Sequence, residues 1–153
     1  REKESSVKAV SVLLSAKEDV VADAVERLKQ ENFRLTGQLM ALNKMLIQNK
    51  AAGVAEGTAN PVFFEDHLDP DTSREFVNLL TERCSGIACL FIGNDESGYR
   101  YIFGSKTEDT RPLCKALNGQ FGGKGGGKPE MVQGSLSGTQ EELMGAVETF
   151  LHA

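Results

Sequence analysis

Tryptophan is missing from this 153-residue chain, and histidine, cysteine and proline are scarce, at two, three and four residues. Each scarcity removes a class of function. Cys84, Cys89 and Cys114 lack CxxC spacing, which argues against a disulfide framework and for small buried thiols in a reducing, cytoplasmic setting. His67 and His152 lie far apart, outside any ligand-spaced cluster. They read as a strand-end or surface residue and as part of a fraying terminus. No cysteine has a histidine or other base beside it. The phosphate-loop pattern GxxxxGK[ST] fails because Gly127-Lys128 is followed by Pro129, and GxSxG is absent. The acidic residues Glu65, Asp66, Asp69 and Asp71 read as turn and capping residues, not as an acid–base pair. The chain by itself is therefore expected to catalyse nothing. No apolar run approaches the ~20 residues of a membrane helix, and no signal peptide is legible, so no membrane partner is expected. The chain begins at Arg1, which reads as a fragment of something longer.

What is present is ordinary in bulk and uneven in detail. A hydrophobic content of 40% and a charged content of 25% fit one domain with a real core. The net charge of −5 argues against indiscriminate nucleic-acid binding. Between residues 100 and 128, however, Arg100, Lys106, Arg111, Lys115, Lys124 and Lys128 face only Glu108 and Asp109. That positive segment is either a solvated face or a local basic patch.

Inside it, Gly122-Gly123-Lys124-Gly125-Gly126-Gly127-Lys128 places five glycines within six positions. Glycine leaves the main chain bare, and consecutive bare N–H groups can form an anion-binding concavity rimmed by the lysines. The run follows a helical stretch and precedes Met131-Val132-Gln133, so it lies within a folded unit. Its two readings are a functional backbone site and a structural crossing or flexible loop.

Along the chain, a short apolar helix is expected over Val7–Leu14. Ser15-Ala16-Lys17-Glu18 then fits a capping box opening a long helix to about Asn49. On that helix Val21, Val25, Leu28, Asn32, Leu35, Leu39, Leu42 and Leu46 alternate four and three apart, a heptad seam with one asparagine. The seam reads either as a dimerising coiled coil or helical hairpin, or as one face of a long helix packed on its own domain, and Gly37 and the modest length weaken an autonomous coil. Residues 1–50 are thus a helical dimerisation segment, 51–60 a linker, and 61–153 a globe carrying glycine-rich loop 122–127. Within the globe the order reads βαββαβα: a strand at Pro61–Phe64, a helix through Phe76, a buried strand at Ile87–Ile92 and a hairpin return at Tyr99–Phe103. A helix capped by Asp109 or Thr110 follows, then a strand at Met131–Gln133 and a helix from Thr139. The fold class is α/β, with α+β as the variant: a long helix, then a small mixed sheet with flanking helices.

The stretch from Gly122 through Lys128-Pro129-Glu130-Met131-Val132-Gln133-Gly134 resembles the signature of the DHH-associated domain that closes alanyl-tRNA synthetases. The long-form stand-alone alanyl-tRNA editing proteins carry the same domain. The heptad-like helix after Leu13-Leu14-Ser15 and the α/β globe fit that family, so the resemblance spans nearly the whole chain. More distant relatives occur in RecJ-like exonucleases and cyclic-dinucleotide phosphodiesterases.

The resemblance implies a tRNA-binding and dimerising module, with tRNA-Ala as partner and a homodimer as assembly. Charging of alanine or hydrolysis of mischarged tRNA would belong to upstream domains of the parent. Zinc, if used, would sit there too, and no cofactor is expected in this chain. The implied nucleic-acid residues are Gly122, Gly123, Lys124, Gly125, Gly126, Gly127, Lys128, Gln133, Arg111 and Lys115. Gln133 reads equally as a base or ribose contact and as a core-facing strand residue, and Phe121 as a stacking or a core ring. A nucleotide or single-strand binding module of the DHH phosphodiesterase type is one alternative, and a purely structural dimerisation domain is another.

Overall fold

The computed structural model describes the backbone of residues 2–152 and the side chains of residues 17–152. Its first element, α1 (Glu2–Ala52), is one unbroken helix. The separate helix expected over residues 7–14 is merged into it. Ser15 therefore lies mid-helix and is not an N-cap, although its side chain falls outside the described residues. A capping box acts only where the preceding residue leaves the helix, and nothing in Ala16-Lys17-Glu18 disfavours continuing it. Gly37 is accommodated with open space around it. The chain forms two compact units, Arg1–Leu42 and Asn43–Ala153.

The second unit contains the last turns of α1 and eight further elements. These are β1 (Val62–Glu65), α2 (Pro70–Arg83), β2 (Ala88–Asn94), β3 (Gly98–Gly104), α3 (Arg111–Phe121), β4 (Lys124–Lys128), β5 (Met131–Leu136) and α4 (Gln140–Leu151). The strands form one sheet in the order β1-β2-β3-β5-β4. Only the β1–β2 pair is parallel. The fold is α/β, with helices on both faces of a mixed sheet.

The continuous apolar run of β2 explains the layering. Its Ala88, Leu90 and Ile92 point to one side and pack with Phe76, Val77 and Leu80 of α2 and with Ile47 and Ala51 of α1. Its Cys89 and Phe91 point to the other, with Tyr101 and Phe103 of β3 and Val132 of β5, under Leu113, Cys114 and Leu117 of α3 and Leu143 and Val147 of α4. A strand covered on both faces needs apolar residues at every position.

Local chemistry sets most of the ends. Asp69 caps α2 by accepting from the Thr72 N–H at 3.0 Å, with Pro70 in the first turn where its missing N–H costs nothing. Thr139 caps α4 by accepting from the Glu142 N–H. At α3 the expected cap is divided: the Thr110 hydroxyl donates to Pro129 O, while Asp109 accepts from the Arg111 N–H. Gly122, at φ 62°, closes α3 in the left-handed conformation that glycine adopts freely.

Two expectations change. Residues 51–60, which read as a linker, are stitched to the globular unit. Gly57 N–H donates to Arg83 O, Ser85 N–H to Thr58 O, and Ile87 N–H to the Asn60 side chain, each within 2.9 Å. The glycine run, which reads as a loop, forms the edge strand β4 paired to β5. Glycine propensity disfavours a strand, but close packing described below requires bare residues there, and tertiary packing overrides propensity.

Candidate functional site

The glycines of the run serve different ends. A Cβ on Gly125 would clash with Gln133 O and lie 2.5 Å from Tyr101 Oη and 2.6 Å from Gly134 Cα. Gly134 is its cross-strand partner, and a Cβ there would lie 2.6 Å from the same tyrosine oxygen. The Tyr101 hydroxyl thus occupies the space that side chains on these two residues would need, 2.8 Å from Asn118 Oδ1 and 3.1 Å from Cys114 Sγ. Burial and the Cys114 contact push the Tyr101 phenol well above its usual pKa. Gly123 and Gly127 are equally confined: their Cβ atoms would fall 2.7 Å from Ser135 O and 2.5 Å from Met131 O. Gly122 serves the turn that ends α3. Gly126 alone among the run's strand glycines has open space where a Cβ would stand, and its φ is not positive. Nothing among the described residues requires glycine at that position.

Side chains alternate across a strand, so Lys124, Gly126 and Lys128 share one face of β4. The pairing register extends that face into a grid. Lys124, Ser135 and Arg100 form one row, Gly126, Gln133 and Ile102 the next, and Lys128, Met131 and Gly104 the third. This is the face that α2 covers over β2 and β3. Lys124, Gln133 and Ser135, with Arg100, Ile92 and Ile102 and with Pro70 and Ser73 of α2, line a shallow concavity of about 310 Å³. The Arg100 guanidinium is oriented by donating to Leu68 O at 2.9 Å. Lys124, Gly126, Lys128 and Gln133 are all exposed. Lys124 and Lys128 enter no ion pair among the described residues, and stand about 13 Å apart at the rise of a strand. The surface offers cations, an amide, a hydroxyl and a stretch of bare backbone: the chemistry of a polyanion contact.

The other expected binding residues lie elsewhere. Arg111 opens α3, on the opposite side of the sheet, and its guanidinium is held by Asp109 at 2.8–3.2 Å. That hydrogen bond lowers the Asp109 pKa. Lys115 is exposed one turn further along α3. Phe121 is half-buried against the core cluster under α3 and α4, and Gln133 faces solvent. Arg100 and Ser135 were not singled out from the sequence. Arg100 carried a signal in the positive segment, but only the β3–β5 register sets it beside Lys124.

The seam on α1 is unpacked. Val21, Val25, Leu28, Leu35, Leu39, Leu42 and Leu46 expose 42–68% of their surface, and Asn32 is exposed among them. No described helix is long and apolar enough to cross a membrane.

The family model for the DHHA1 domain matches residues 49–153. Among solved structures, the chain is similar to the C-Ala domain from Aquifex aeolicus alanyl-tRNA synthetase. Identity is 17% and the TM-score 0.46, over 63% of this chain and 91% of that one.

Proposed function

The chain belongs to the DHHA1 domain family, and from that premise we propose that it is a nucleic-acid-binding module that docks on folded tRNA through the open face of β4 and β5. The observation that carries this reading is Gly126: a bare residue with open space at its Cβ position, between two lysines that enter no ion pair among the described residues, on the face that α2 leaves uncovered. Folded RNA is recognised by shape through phosphate and 2′-OH contacts, and bare backbone flanked by lysines suits close approach to a sugar–phosphate strand. Gln133, Ser135 and Arg100 supply hydrogen bonds to a ribose or base edge in the adjoining concavity. With a net charge of −5, binding depends on this local patch, not on overall attraction. tRNA-Ala is the proposed partner because the motif from Gly122 to Gly134 resembles that of alanyl-tRNA synthetases and editing proteins. Chemistry on the tRNA would belong to other domains of such a cytoplasmic parent. The exposed α1 seam supports a second role, pairing with a second copy.

One observation favours a nucleotide as ligand instead. The concavity of about 310 Å³ lies at the lower end of small-molecule pockets. A cyclic dinucleotide that raises the melting temperature, with no tRNA binding, would establish that reading.

The test is binding of a tRNA-Ala transcript and an unrelated tRNA at two salt concentrations. The expected result is saturable binding that weakens with salt and disappears with Lys124→Glu plus Lys128→Glu. Lysines on an edge strand also discourage edge-to-edge association. Glutamates keep that protection, so the double variant isolates the binding role. No binding at low salt would leave pairing as the module's function.

A further inference from the structure

The proposed pairing through α1 leaves its direction open. We propose that two copies of this chain pair through α1 in parallel and in register, with Asn32 facing Asn32 of the second copy. The inference deepens the pairing reading above and rests on it.

Spacing assigns the seam positions: Val25, Asn32, Leu39 and Leu46 occupy the a sites of successive heptads and Val21, Leu28, Leu35 and Leu42 the d sites. In a parallel pair each a residue meets the a residue of its partner, whereas in an antiparallel pair each a residue meets a d residue. Every d site here is valine or leucine. Any antiparallel register therefore presses the Asn32 amide against an apolar side chain, twice per dimer, with its hydrogen bonds unmade. A parallel pair slipped by one heptad does the same, setting Asn32 opposite Val25 or Leu39. Only the unslipped parallel arrangement lets the two amides bond to each other.

The flanks permit that arrangement. In it, the g residues Ala24, Glu31 and Gln38 meet the e residues Lys29, Thr36 and Asn43 of the second copy, without a like-charge pair. The surface is also large enough. Residues 21–46 span about 39 Å of a helix about 11 Å across, so its facing half is on the order of 700 Å². A standard interface buries about 800 Å² per partner. The seam's 42–68% exposure leaves that surface available. A self-matching asparagine layer favours a second copy over an unrelated helix, as a two-fold axis running along the seam of a parallel pair sets Asn32 against Asn32.

The experiment uses the full chain with Cys84→Ser, which removes the partly exposed thiol while Cys89 and Cys114 stay buried. In that background, Val21→Cys reports direction under mild oxidation, with sedimentation equilibrium reporting mass. The expected result is a dimer that crosslinks nearly completely through position 21, with little heteropair when Val21→Cys and Leu46→Cys chains are mixed. A dimer in which the heteropair dominates would overturn the parallel arrangement while keeping the pairing. A monomer across the micromolar range would overturn the pairing itself. Adding Asn32→Leu is expected to tighten the dimer by about tenfold and to let the heteropair appear, because the buried polar residue trades stability for specificity. An unchanged crosslinking pattern in that variant would refute the role assigned to Asn32.

Discussion

Substituting alanine at Gly125 and Gly126 in separate chains distinguishes packing from binding at adjacent residues. At Gly125 the new Cβ meets Gly134 Cα at 2.6 Å and Tyr101 Oη at 2.5 Å, with Gln133 O also in the way. Two of the three obstacles are backbone, and the third is a buried phenol held by Asn118. Relief requires parting β4 from β5 or rotating the ring, so overpacking of about 1–3 kcal/mol is expected. In a unit of this size that lowers Tm by about 4–12 °C. At Gly126 the Cβ enters open space and the backbone is compatible. Stability should then hold or rise by up to about 1 kcal/mol, because alanine restricts the unfolded chain. The methyl would nevertheless stand between the backbone and a bound strand, so tRNA affinity should fall about tenfold, the equivalent of one hydrogen bond. Thermal and urea unfolding followed by circular dichroism, beside tRNA titration, measures both. Equal destabilisation by the two variants would refute the steric distinction. A stable Gly126→Ala chain that binds tRNA unchanged would remove the open face as the site.

Further outcomes follow from the core and the titrating groups. Leu117→Ala, at a position 1% exposed under α3, should lower stability by about 2–5 kcal/mol in urea unfolding. Asp69→Ala should cost about 1 kcal/mol at neutral pH by uncapping α2. The hydrogen bonds from Thr72 hold the Asp69 carboxyl below its usual pKa. That contribution is therefore present above the unfolded value near 3.9 and is lost as pH falls through the lower folded value. Asp69→Asn should keep the cap and lose this acid-range slope in unfolding titrations. Tyr99 is pushed up to about 12 by burial and by its hydrogen bond to Asp95, and Tyr101 is also raised. Ultraviolet titration should show neither of the two tyrosines ionising near 10 while the chain is folded. The stability this represents is complete below pH 10 and declines as pH rises toward 12. A phenol titrating near 10 in the native state would contradict the packing of β3.

Much of the architecture was legible because it follows from short-range rules. The run Ile87–Ile92 announces a doubly covered strand, Asp69-Pro70 and Thr139 announce helix starts, and the spacing from Val21 to Leu46 announces a seam. Each signal depends on the residues beside it and on the period of the backbone. The extent of α1 was not legible in the same way. A capping box is a local pattern that takes effect only if the chain before it leaves the helix, and here it does not.

The glycine run marks the boundary most clearly. Composition identified the segment and its lysines, but glycine's own preference pointed to a loop. Pairing with β5, and the Tyr101 hydroxyl of β3 set against Gly125 and Gly134, are contacts outside the run itself, and they make the segment a strand. Once it is a strand, a period of two sets Lys124, Gly126 and Lys128 on one face, and register adds Arg100, Gln133 and Ser135. The sequence by itself determined which residues were available for a binding surface. The tertiary structure decided which of them face the same way, because side-chain direction on an edge strand depends on a partner that the local sequence does not contain.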